Sequence, residues 1–135
     1  MEAILAYCLT LISLVSLDAI WLNLIAKHFY TSRLGFLFSP SITWWPLFIF
    51  YPLFAAGIFF FAVHPSLSPN LPLKAFFLGA FLGLLAYAAY DLTNQATIAS
   101  WPVIVTIIDI LWGAVLAGAT SAIAVILARI FGISS

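Results

Sequence analysis

Four apolar stretches, each long enough to cross a bilayer as a helix, dominate this chain. They run from about Ala3 to Ala26, Trp44 to Val63, Leu73 to Asn94 and Pro102 to Phe131. A hydrocarbon core about 30 Å thick takes roughly 20 apolar residues at helical rise. Backbone polar groups find no water there, so only helices or closed barrels cross it. The runs show no alternation, and a barrel needs more segments than 135 residues supply. The expectation is an all-α polytopic membrane protein, a four-helix transmembrane bundle forming one domain over residues 1–135.

Composition excludes the main alternatives. The chain is 66% hydrophobic and 6% charged, whereas a soluble domain carries roughly 25% charged residues. A soluble fold this short has too little interior to hide so much apolar surface. Net charge is zero and no basic run exists, so nucleic-acid binding has no electrostatic footing. The single cysteine, Cys8, excludes an internal disulfide and a cysteine-based metal site. Glu2 stands where a cleavable signal would carry positive charge, which predicts a retained first span.

The connections are short. His64-Pro65 is expected to stop the second span, with the proline-rich stretch to Pro72 as a polar turn. Thr97 to Trp101 is a tight connection. The longest, His28 to Thr43, mixes aromatic residues with Arg33 beside Lys27, which predicts a short interfacial segment between spans one and two. Pro52 is expected to kink the second span or sit at a break that frees a carbonyl. Gly79 and Gly83, with Ala75 and Tyr87, form a small-residue face on the third span. Gly113, Ala117, Gly118 and Ser121 form another on the fourth. Such faces let helices approach closely, and packing within the bundle is the expected use. Lys27 and Arg33 fall on one side and Lys74 and Arg129 on the other, so the positive-inside rule leaves orientation open.

Three of the four acidic residues, Asp18, Asp91 and Asp109, lie inside these apolar runs. A carboxylate in hydrocarbon is costly unless paired, hydrated or protonated, so such residues mark functional sites. Spans one and four run antiparallel. Asp18 lies roughly 12 Å before the exit of the first span and Asp109 roughly 10 Å after the entry of the fourth. Asp91 lies near the exit of the third, so all three are expected in one leaflet.

Two of them share an Asp-x-x-Trp frame, Asp18 to Trp21 and Asp109 to Trp112. Antiparallel packing then sets Asp18 level with Trp112 and Asp109 near Trp21. Each indole N–H is placed to donate across the interface, under a pseudo-twofold axis of the kind found in transporters. Around Asp91 stand Tyr87, Tyr90, Thr93, Asn94, Gln95 and Thr97, with Tyr87, Asp91 and Asn94 on one helical face. Asn23, Thr106, Ser13 and Ser16 are placed to contribute from neighbouring helices. Clustered carboxylates repel, so a proton-binding centre is expected.

Leu17 to Leu22, Phe29-Tyr30 with Leu34-Gly35, Ala86-Tyr87 with Tyr90 to Asn94, Trp101-Pro102, and Asp109 to Gly113 together resemble the small four-span bacterial membrane proteins of the domain of unknown function 2177 family. The resemblance covers essentially the whole chain. It implies the four-span architecture, a bacterial cytoplasmic (inner) membrane and the same acids, and it supplies no substrate. Relatives often carry a basic residue before the Trp-Pro pair, where this chain has Ile98-Ala99-Ser100.

Three functions fit. The first is a small proton-linked carrier or binding protein for a small or amphipathic solute, as a possible homodimer. Its binding residues would be Asp18, Trp21, Tyr87, Tyr90, Asp91, Asn94, Asp109 and Trp112, with aromatic rings receiving a cationic group. The second is a lipid-binding or lipid-modifying enzyme or subunit, with membrane lipid as partner. No basic clamp accompanies the aspartates, which leans away from an enzyme. The third is an assembly module with no chemistry. No metal or cofactor is expected, since His28 and His64 fall on opposite sides of the membrane.

Overall fold

The computed structural model describes residues 1–38 and 41–133. Four helices are long and apolar enough to cross a membrane: Glu2–Ile25, Trp45–Leu67, Pro72–Thr97 and Val103–Ile130. The chain is an all-α membrane bundle. The first span comprises helix α1 (Glu2–Ile20) and a π turn over Trp21–Ile25. A short helix α2 (Lys27–Leu34) follows, then a 3₁₀ turn over Gly35–Leu37. The predicted interfacial segment is therefore helical at its start, while residues 39 and 40 lie outside the described part.

The second span begins as α3 (Trp45–Ile58), widens into a π turn over Phe59–Val63, and ends in a single turn, α4 (His64–Leu67). The sequence places its end at His64-Pro65, and the helix instead runs on to Leu67. The π turn explains this. The N–H of His64 bonds the Phe59 carbonyl, five residues back. Pro65 then falls in the first turn of α4, where a missing N–H costs nothing. Pro52 lies inside α3 without ending it, and its carbonyl accepts a 2.8 Å hydrogen bond from the Tyr7 hydroxyl.

The third and fourth spans are α5 (Pro72–Thr97) and α6 (Val103–Ile130). Pro102 is extended and precedes α6. The far end of α6 closes on Gly132 at φ 73°, with the N–H of Ile133 bonded to Ala128 and that of Gly132 to Arg129. This is a Schellman cap, and it satisfies carbonyls the helix would otherwise leave open.

Helix α6 is the central element, packing most extensively on α5 and next on α1. Its seam with α5 is made of the small residues anticipated from sequence. A Cβ on Gly79 would meet the Ala117 carbonyl at 2.5 Å and collide with the Ser121 hydroxyl. One on Gly83 would meet the Ala117 side chain at 2.7 Å and collide with the Gly113 carbonyl. The outer faces carry Phe48, Phe60 and Phe77, all strongly exposed within the chain. Lipid is the medium that accepts them.

A second, smaller apolar cluster sits where α2 meets the start of α6. Leu34, Trp101 and Val105 are buried there, with Phe29 and Tyr30 packed against them. The Trp101 indole donates to the Thr106 hydroxyl at 3.1 Å. That hydroxyl donates to Gln95 at 2.8 Å, and the Gln95 amide donates to the Trp101 carbonyl at 2.8 Å. This loop of bonds ties the α5–α6 connection and gives α2 a firm surface to dock on.

Candidate functional site

At the α2 end of the bundle the helices part around a recess of about 540 Å³. Asp18 comes to it from α1, Tyr51 from α3, Tyr87 and Tyr90 from α5, and Asp109 and Trp112 from α6. Lys27, Tyr30 and Thr31 of α2, Trp21 of the π turn, and Phe38, Phe50 and Trp101 complete the polar and aromatic lining. The volume falls within the range of small-molecule pockets, which are mostly apolar with a few fixed polar groups.

Each lining carboxylate is held by neutral donors. Asp18, 6% exposed, accepts one hydrogen bond from the Trp112 indole at 3.1 Å and another from the Tyr51 hydroxyl. Asp109, 9% exposed, accepts from the Tyr30 hydroxyl. Burial first, and then the hydrogen bond to Asp109 and its charge, hold the Tyr30 hydroxyl well above the ordinary tyrosine range, with the nearby Trp21 indole opposing in part. Tyr30 is therefore a fixed donor. Such donors orient a carboxylate, but they leave its charge uncompensated.

Asp91 stands behind this lining. It is wholly buried, and neither carboxyl oxygen has a donor. Its side chain lies within reach of the Asp109 carboxyl. Two ionised carboxylates offer only acceptors, so a hydrogen bond between them requires a proton on one. The three aspartates do not converge on a single point. Asp91 lies beside Asp109, while Asp18 is held by Trp112 and Tyr51. Among the described residues no three His, Cys, Asp or Glu side chains group as a metal site would require.

The two Asp-x-x-Trp frames meet, with one half altered. Trp21 and Trp112 stack with centroids 4.5 Å apart and planes 12° from parallel. Trp112 donates to Asp18 as the antiparallel register requires. Trp21 does not donate to Asp109: its buried indole N–H lies near the Tyr30 hydroxyl instead, without forming a hydrogen bond of good geometry. The backbone explains the asymmetry. Trp112 lies in regular α-helix, whereas Trp21 opens the π turn, which alters the angular step between side chains. Tyr30 fills the vacated role at Asp109.

Seven of the eight anticipated binding residues are gathered here, six on the recess lining and Asp91 behind it. Asn94 is not among the lining residues, and its carbonyl accepts from the Ile98 N–H at the end of α5. Of the other polar residues expected nearby, Thr106 serves the Trp101 loop, Ser13 is buried in α1, Ser16 is exposed, and the Asn23 amide turns back to the Ala19 carbonyl. Sequence reasoning did not single out Tyr51. Its signal was available, because it is the one hydroxyl in the apolar run Trp45–Ile58.

The family model described as Predicted membrane protein (DUF2177) matches residues 3–126. The chain belongs to that family. It is an integral membrane protein, and the matched region contains every residue of the recess described above. No curated protein and no solved structure matches the chain significantly.

Proposed function

We propose that this protein is a small proton-linked carrier or binding protein, in a bacterial cytoplasmic membrane, for a solute bearing an organic cation. One observation carries the reading: a recess inside an apolar bundle lined by two carboxylates and a ring of tryptophans and tyrosines. Aromatic faces attract organic cations, and the attraction grows when both partners are desolvated. The carboxylates Asp18 and Asp109 supply the balancing charge.

Asp91 supplies the coupling. A proton held between Asp91 and Asp109 gives one Asp91 oxygen the partner it otherwise lacks. A cation entering beside Asp109 displaces that proton to water in the recess, so the charge of the site is unchanged. Exchange of this kind needs a titratable acid bordering a wet cavity, which is how intramembrane acids commonly serve.

The experiment uses protein in liposomes that enclose a pH-sensitive dye. An imposed tetraethylammonium gradient should drive proton movement in the opposite direction. Asp91→Asn should abolish that movement while the protein stays folded. Wild-type signals equal to those of empty liposomes, or an unaltered signal in Asp91→Asn, would overturn the proposal.

A further inference from the structure

The recess has a neighbour of opposite character. A second hollow of about 380 Å³ is lined by Asn23, Leu24, Ile25, Lys27, His28 and Thr31. Lys27 and Thr31 border both hollows. Acid and base are therefore separated along one path: Asp18 and Asp109 in the aromatic recess, Lys27 at the boundary, His28 beyond it. Among the described residues no carboxylate lines the second hollow beside Lys27 and His28.

Apolar surface continues outward from the same place. Leu24 and Ile25 line the second hollow and are 79% and 62% exposed. Phe38 borders the recess and is half exposed. The π turn that carries Leu24 and Ile25 also places Trp21 over Trp112, so it shapes both hollows at once. π turns recur at functional sites for this reason: one extra residue re-aims a side chain without ending the helix.

We propose that the two hollows together hold one zwitterionic amphiphile. Its alkylammonium group enters the aromatic recess beside Asp109, its phosphodiester meets Lys27 and His28, and its hydrocarbon lies along Leu24 and Ile25. This rests on the cation-binding reading of the recess and adds the substrate class, a phospholipid-type headgroup with its chain attached. A lysine ammonium on a phosphate oxygen is a charge-assisted hydrogen bond, among the stronger polar contacts available. The feature that favours an amphiphile over a soluble zwitterion is the apolar run at the mouth.

The test is titration of the purified protein in an uncharged maltoside detergent, read by tryptophan fluorescence, because Trp21 and Trp112 form the recess wall. Three probes separate the contributions: dodecylphosphocholine, dodecyltrimethylammonium and free phosphocholine. Dodecylphosphocholine should bind about tenfold tighter than dodecyltrimethylammonium, the worth of one charge-assisted bond. Lys27→Ala should erase that advantage without weakening dodecyltrimethylammonium, since the change only removes a positive charge from the recess wall. Arg33→Ala should alter neither, since that side chain lies over the Phe29 ring and lines neither hollow.

Equal affinity of the two dodecyl probes, or a Lys27→Ala variant that keeps the preference, would overturn the headgroup assignment while leaving cation binding intact. Free phosphocholine binding as tightly as its dodecyl form would overturn the amphiphile. Failure of all three probes to bind would instead sink the cation-binding reading itself.

Discussion

The two ends of the α5–α6 pair use opposite packing strategies. Toward the Ser121 end, Gly79 and Gly83 let the backbones come so near that a single added carbon strikes a carbonyl. Toward α2, the same two helices present Tyr87, Tyr90, Asp109 and Trp112, and the bundle holds a recess. Small residues bring helices together by dispersion contacts, which matter most where lipid offers no hydrophobic contrast. Large rings and buried acids keep them apart. Gly113 is the boundary: it faces the Tyr87 ring, too close for any side chain of its own. The lesson is that the closed seam and the open site form one design, since the rigid seam fixes the position of the rings that prop the recess.

The most severe way to break this contrast is Gly83→Leu. The added side chain meets the Gly113 backbone, which has nowhere to move. Overpacking a tight core costs about 1–3 kcal/mol or more, so the variant should fail to give a monodisperse folded species on size exclusion in detergent. A recovery of wild-type yield and melting temperature would show the seam is softer than the geometry indicates.

Asp91→Asn sharpens the contrast from the other side. It removes a carboxyl whose oxygens have no donor, in a site of nearly the same volume. Thermal stability should change little, within about 1 kcal/mol, while proton movement driven by an organic cation is lost. A large drop in melting temperature would assign Asp91 to the packing side of the comparison.

Trp112→Phe has a more local effect than Gly83→Leu. The ring stack on Trp21 is kept in kind, but Asp18 loses its indole donor. Hydrogen bonds to charged groups contribute about 1.5–3 kcal/mol, and a melting temperature lowered to that extent is expected. Tyr30→Phe removes the hydroxyl donor to Asp109 and should act mainly on α2. That hydroxyl ties α2 to Asp109, so amide exchange should quicken over Lys27–Leu34 and stay unchanged in α5 and α6.

Much of this was legible in the sequence because membrane physics leaves few options. Runs of apolar residues define spans, and Gly79, Gly83 and Gly113 could be read as a seam because spacing places them on facing stripes. The antiparallel order was enough to bring Asp18 to Trp112. What could not be read were features set by local backbone. The π turn at Trp21 breaks the symmetry of the two Asp-x-x-Trp frames, and nothing in Trp-Leu-Asn-Leu-Ile announces it. A second π turn carries the helix past His64-Pro65, where proline rules predict an end. Tyr51 could have been singled out as the one hydroxyl of its apolar run, but its direction toward Asp18 depends on the rotation of α3 about its axis, which that run does not encode.

The central claim is that one end of the bundle encloses a water-accessible, carboxylate-lined recess while the α5–α6 seam beyond it is closed. Cysteine labelling tests it most directly, in a Cys8→Ala background because Cys8 is exposed and free. Tyr51→Cys places a thiol on the recess, and Gly57→Cys places one on the same helix facing Leu82. A water-soluble, trimethylammonium-bearing thiol reagent should modify the first, more slowly when tetraethylammonium is present, and leave the second intact. Equal reactivity at both positions, or none at Tyr51→Cys, would contradict the account.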